Sequence, residues 1–296
     1  MQVSAVKLVR RELDGAVTTL GAIVLPSNPP ERLPALARAA DQAGLEQLWL
    51  WEDCFLAGGV AAAVAALAAT TRLQVGIGIL PVPFRNVALA AMEIATLRRL
   101  FGARAIVGIG HGVQDWMEQV GAQVASPMTL LREYTTALRA LLNGETVTTR
   151  GRYVRLDEVA LDWPPEPAPE LLIGATGPKT LALSGELADG TILTGGTAPS
   201  GVRTAKLHIG TEKDHELVVF VPAATGSGAA ERLAEQQSRY GMDDPGVAGD
   251  ARAVAAGLER WIEAGATTVV LQPTTDEPDP EGFLRFVAEE VRPLLS

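Results

Sequence analysis

The chain has 296 residues, 47% of them hydrophobic and 20% charged, which is enough apolar material for one large α/β domain and too much for a disordered chain. Its formal net charge of −10 argues against a nucleic-acid groove, because an acidic surface repels phosphates. Cys54 is the single cysteine, so no intrachain disulfide forms and a reducing compartment is the natural setting.

The N-terminus lacks the charged-then-apolar layout of a signal peptide. The apolar run 57–69 is interrupted by glycine and too short for a bilayer, so a cytoplasmic protein is expected. Along the chain, short apolar runs at 20–25, 47–51, 73–79, 105–109, 170–174, 191–194, 217–221 and 268–272 alternate with helical segments. The runs are continuous rather than alternating, as befits parallel strands buried on both faces. Between them, residues 31–43 place Leu33, Leu36, Ala37 and Ala40 on one helical face and end at Gly44, a left-handed cap. Asn86 opens a second helix, Ser126–Pro127 a third that Asn143–Gly144 closes, and Asp250 a fourth. A last helix is expected over about 280–295.

Eight strands alternating with helices predict a (β/α)8 TIM barrel spanning 1–296 as one domain, with an irregular insert at about 143–169. Within that insert, 153–161 alternates in part and suggests a hairpin, followed by a proline-rich approach to the fifth strand. An open doubly wound sheet is the competing architecture, but no Gly-x-Gly-x-x-Gly follows the first strand.

In such a barrel the chemistry belongs at the C-terminal ends of the strands. The second strand ends in Glu52-Asp53, two carboxylates that are either a capped turn or groups facing a reacting proton. The third carries Gly76 and Gly78, which suggest a bulge or a close approach by a ligand. Arg85 after it is either a surface cap or a tie between loops. The fourth ends in Gly108-Ile109-Gly110-His111-Gly112, where the histidine is either satisfied within a tight turn or an acid–base group. The fifth runs through Gly174-Ala175-Thr176-Gly177-Pro178-Lys179 into a helix, a glycine turn whose amides suit an anion. The sixth ends in Thr194-Gly195-Gly196, again leaving room. No nucleophile elbow, Walker loop or zinc-spaced cluster is present in the sequence.

The run from Leu67-Ala68-Ala69-Thr70-Thr71-Arg72-Leu73 through Gly76-Ile77-Gly78, Phe84-Arg85-Asn86 and Gly102-Ala103-Arg104-Ala105 to Gly108-Ile109-Gly110 resembles the luciferase-like monooxygenase superfamily. With Gly174 to Pro178 and Ala188-Asp189-Gly190 following in order, it is similar to the branch that uses the deazaflavin coenzyme F420. The resemblance implies hydride transfer between coenzyme F420 and a small organic substrate, with a homodimer formed through the alanine-rich helices after strands two and three. It implies a bulge, often with a non-proline cis peptide, at Gly78-Ile79-Leu80 beneath the cofactor ring. Gly110 and Gly195 are expected to border the ring, and Ala175, Thr176, Gly177 and Lys179 to contact the phosphate. Many members have Asp-His after strand two where this chain has Glu52-Asp53, and several have glutamate where it has His111. The departure suggests that acid–base duty passes to His111, oriented by Asp53 or Glu52. An FMN-dependent monooxygenase on the same scaffold is the nearer rival. A barrel hydrolase with Glu52, Asp53 and His111 around a divalent metal is the rival of another class.

Overall fold

The computed structural model describes residues 18–295. The chain runs through β1 (Thr19–Ile23), β2 (Gln47–Leu50), β3 (Gln74–Pro81) and β4 (Ala105–Gly110). After an antiparallel hairpin of β5 (Val147–Arg150) and β6 (Arg155–Val159) it continues with β7 (Leu171–Gly174), β8 (Gly190–Leu193) and β9 (Glu216–Ala224), a two-residue β10 (Val247–Ala248), and β11 (Thr268–Pro273). The parallel order β1-β2-β3-β4-β7-β8-β9-β11 returns to β1, so eight strands close a (β/α)8 barrel. Every strand expected from the sequence is present within a few residues of its predicted ends. Residues 1–17 and 296, part of the single domain expected over 1–296, lie outside the described residues.

Helices α1 (Leu33–Ala43), α2 (Gly59–Ala68), α3 (Val87–Phe101), the short α4 (Gln114–Gln119) and α5 (Pro127–Leu142) follow the first four strands. After the hairpin come α6 (Pro178–Leu187), α7 (Pro199–Ile209), α8 (Ala229–Tyr240), α9 (Ala251–Ala264) and α10 (Pro280–Arg285). Their ends obey local chemistry. Gly44 closes α1 at φ 85, the Asn86 side chain accepts from Ala88 N at 2.9 Å, and Asp250 accepts from Ala253 N at 2.9 Å.

Three expectations are corrected. Ser126 does not cap α5 with its side chain, because its hydroxyl is drawn to Thr129 Oγ1 at 2.8 Å. The last helix is α-helical only over Pro280–Arg285 and continues as a π-helical turn, Phe286–Val291. The hairpin pairs β5 with β6, so 153–161 supplies one strand of it rather than both. Glu133 on α5 clamps the hairpin's turn by accepting from the amides of Arg152, Tyr153 and Val154 at 2.8 to 3.0 Å.

The barrel interior is a packed apolar core, not a channel. Trp49 is fully buried there, edge-on to Phe220 at 5.6 Å, and its indole N–H donates to Gln47 Oε1 at 2.9 Å. Trp51 stacks on Phe220 at 6.2 Å. Room for the Trp49 ring comes from Gly76, where a Cβ would come within 2.7 Å of indole carbons. A larger cluster, including Leu20, Leu67, Ile94 and Leu138, fills the layer between the barrel and the helices. At the top of β3 the register with β4 shifts between Ile77 and Leu80, and the Gly78–Ile79 peptide is cis. The bulge and its cis peptide therefore fall where the resemblance implies them. A second non-proline cis peptide, Cys54–Phe55, follows β2.

Candidate active site at the barrel mouth

A cavity of about 1070 Å³ opens over the C-terminal ends of the strands. β2 and β8 stand four strands apart in either direction around the barrel, so their loops form opposite walls. The β2 wall carries Trp51, Asp53 and Leu56, joined by Leu25 from β1 and Trp116 from α4. The opposite wall carries Ala175 and Thr176 after β7 and Thr194 to Gly201 after β8.

Asp53 is the carboxyl group on the β2 wall. No side chain or amide of the described residues bonds its carboxylate, and burial raises its pKa above the ordinary carboxylate value. A desolvated carboxyl with no protein partner is able to hold a proton and pass it on. Its neighbour Glu52 behaves oppositely. The strand's alternation turns Glu52 away from the cavity, where it is 6% exposed, and its carboxylate accepts from Gly59 N at 2.7 Å, capping α2. Both its oxygens also meet Arg85, which in turn reaches Glu93 Oε2 at 3.1 Å. Arg85 is thus a tie between loops.

His111 lies behind the cavity wall and does not line it. Its Nε2 is 3.2 Å from Thr180 Oγ1, its buried Nδ1 has no partner, and burial lowers its pKa. Neither carboxylate orients the ring, contrary to the sequence expectation, because Glu52 is engaged by Arg85 and Asp53 makes no bond to it. Glu52, Asp53 and His111 also form no metal-binding group, and no cluster of metal-ligating side chains occurs among the described residues.

Of the remaining expected residues, Ala175, Thr176 and Gly195 line the cavity. Gly78, Ile79, Leu80, Gly110, Gly177 and Lys179 do not. Leu80 points outward into the layer of helices and meets Gly59, while Ile79 is half-buried against the barrel-interior core. The space at Gly110 is taken by the Ile79 side chain, to which a Cβ there would approach within 3.3 Å. Gly177 and Lys179 sit at the start of α6, Gly177 as its N-cap.

Two features escaped the sequence reading. The first is the N-terminus of α7, which joins the one expected from the sequence at α6: both helices begin at the β7/β8 wall with proline at their start, and no side chain caps either. Their free amides and dipoles form an anion-binding edge lined with the hydroxyls of Thr176, Thr197 and Ser200. The second is Gln272 at the end of β11, a polar residue closing the apolar run of that strand, as Glu52-Asp53 closes β2. That shared pattern was the available signal. The cavity thus has aromatic and apolar residues on one wall and free helix-start amides on the other, and the indole N–H of Trp51 has no hydrogen-bond partner.

The family model described as luciferase-like monooxygenase matches residues 14–267. Among curated proteins, the chain is 31% identical over 176 residues to the 5,10-methylenetetrahydromethanopterin reductase of Methanolobus tindarius, a match covering 59% of this chain and 53% of that protein. It is 32% identical over 189 residues to an F420-dependent glucose-6-phosphate dehydrogenase of Nakamurella multipartita, covering 58% of this chain and 54% of that protein. These matches span about half the length of those relatives. The solved coenzyme F420-dependent tetrahydromethanopterin reductase of Methanopyrus kandleri shares the fold at a TM-score of 0.83 and 22% identity, over 95% of this chain and 100% of that one.

Proposed function

Because the chain belongs to the luciferase-like monooxygenase family, we propose that it is an oxidoreductase that uses coenzyme F420 to move a hydride to or from a small organic substrate. The observation that carries this reading is the division of one cavity between Asp53 and two aromatic rings on one wall and two uncapped helix N-termini on the other. Relatives described as a 5,10-methylenetetrahydromethanopterin reductase and as an F420-dependent glucose-6-phosphate dehydrogenase support the cofactor.

When bound, the deazaflavin supplies the two-electron chemistry. The residues of the chain supply the rest. Ala175, Thr176 and the amides at the start of α6 and α7 hold the anionic tail. Trp51 and Leu25 exclude water from the ring end. Asp53 holds or accepts the substrate proton on a carboxyl oxygen. It stands where many F420-dependent members carry histidine, so the acid–base position stays on β2 and the residue type changes. Glu52 and Arg85 keep the loop in place. His111 has a packing role beside Thr180.

The protein is also proposed to pair with a second copy of itself. No charged residue lies in α2, and Leu89, Met92 and Leu100 form an exposed apolar stripe on the neighbouring α3. Light scattering on the purified protein would reveal the dimer, and a monomer at all concentrations would dismiss it. No helix of the described residues is long and apolar enough to cross a membrane.

Titrating the purified protein with coenzyme F420 and with FMN in parallel tests the cofactor. Saturable binding of F420 well below the concentration needed for FMN is expected. Preference for FMN would instead favour the monooxygenase reading.

A further inference from the structure

Gln272 is more than nine-tenths buried and lines the cavity, yet its carboxamide has no hydrogen-bond partner among the described residues. Its amide atoms face the open cavity rather than a sealed core, so a ligand that displaces water there must offer a hydrogen-bond partner in its place. Space for it has been cleared. Gly195 faces the amide from β8, and any side chain there would run into the Gln272 oxygen. β11 lies beside β1, which lies beside β2, so Gln272 stands two strands from Asp53. Among the described residues, Asp53, Asp243 and His208 line the cavity, and no lysine or arginine does.

We propose that Gln272 determines substrate specificity in this cavity by hydrogen-bonding an oxygen atom of an uncharged, non-phosphorylated organic substrate. The claim rests on the F420 reading for the identity of the other ligand and goes beyond it in naming the substrate class. A carboxamide both donates and accepts, so it pairs with a carbonyl or a hydroxyl alike. It carries no charge to offset a phosphate, and no lysine or arginine of the described residues lines the cavity to do so. The anion-binding edge at α6 and α7 belongs to the cofactor tail, which leaves the Gln272 and Asp53 side to a neutral molecule. A site built around a hydrogen bond also rejects a molecule of the same shape lacking the oxygen, because the amide is then left unpaired.

Quenching of tryptophan fluorescence gives a readout independent of turnover, since Trp51 and Trp116 both line the cavity. Coenzyme F420 is titrated first, and its binding or failure to bind decides the cofactor reading alone. Cyclohexanone, methylenecyclohexane and glucose 6-phosphate are then titrated into the protein with and without F420. The proposal expects cyclohexanone to bind about tenfold or more tightly than methylenecyclohexane and glucose 6-phosphate not to saturate. In Gln272→Leu that preference should vanish while F420 affinity stays within about twofold; Gln272→Asn should retain part of it. Three outcomes overturn the proposal: tighter binding of the sugar phosphate, no saturable binding of the ketone, or loss of F420 affinity in Gln272→Leu with the ketone preference intact.

Discussion

Glu52 and Arg85 face each other as a two-pronged ion pair, with Nη1 2.6 Å from Oε1 and Nη2 2.9 Å from Oε2. Their side chains are only 4% and 13% exposed, so solvent screens the pair weakly. Removing one partner leaves a buried charge alone. Arg85→Met is expected to lower unfolding stability by about 3–5 kcal/mol, read as a shift in the urea midpoint at unchanged slope. Glu52→Gln combined with Arg85→Met should recover part of that loss, since only Glu93 is then a carboxylate without its partner. A loss no larger than that of an exposed pair, about 1 kcal/mol or less, would show that the tie is not needed.

Asp53 gives a pH prediction of definite sign. Burial raises its folded-state pKa above the ordinary value of 3.8, so the folded protein favours the protonated form. Its contribution to stability is present in full below 3.8 and is lost as pH rises through the raised folded value. Asp53→Asn should therefore be more stable than the parent at pH 8 and lose that advantage in acid. The same change is expected to reduce turnover about 100-fold or more and to abolish the ionisation of Asp53 from the pH–rate profile. An unchanged profile would remove Asp53 from the chemistry.

The sequence made the barrel readable because each strand is a continuous apolar run and each helix start carries local chemistry at Asn86 or Asp250. Of the stretches that carried the resemblance, the Thr70-Thr71-Arg72-Leu73 motif is scaffold, whereas Gly174 to Pro178 reaches the cavity. Asp41 accepts from the amides of Thr71, Arg72 and Leu73, and Arg104 donates to Thr70 Oγ1 and to the carbonyls of Leu67 and Leu73. That Thr-Thr-Arg-Leu motif holds the N-terminal end of β3, far from the mouth. Glu52 and Asp53 were equivalent on paper, and only the direction of each side chain separates an ion-paired cap from an unpaired carboxyl. His111 looked catalytic because three glycines surround it. Gly108 instead makes way for the Ile192 side chain, into which a Cβ would run, and Gly110 for that of Ile79, which a Cβ would approach within 3.3 Å. Gln272 was invisible because its meaning depends on Gly195, 77 positions earlier, which becomes its neighbour only when β8, β9 and β11 assemble.

His111 should then behave as a packing residue. Burial lowers its pKa, so the folded state prefers the neutral ring; its contribution to stability is present above pH 6.5 and is lost as pH falls through the lower folded value. His111→Asn is expected to reduce turnover by less than about tenfold, leave the pH–rate profile in place, and make the urea midpoint less sensitive to acid between pH 7.5 and 5. Loss of turnover comparable to that of Asp53→Asn would restore His111 to the acid–base role.

Gly177, expected at the cofactor phosphate, and Gly195, expected at its ring, should respond differently to the same methyl group. At Gly177 nothing lies within 4 Å of an added Cβ, and its φ of −88 and ψ of 152 suit alanine. Gly177→Ala should fold with stability within about 0.5 kcal/mol of the parent, so any loss of F420 affinity reports directly on a tail passing the start of α6. Gly195→Ala instead drives a methyl into the Gln272 amide, which must swing aside. Its effect should fall on substrate affinity, and Gly195→Ala with Gln272→Leu should be no worse than Gln272→Leu alone, since the group displaced is already gone. Additive losses in the double variant would mean that Gly195 acts on the ligand by itself rather than by making room for Gln272.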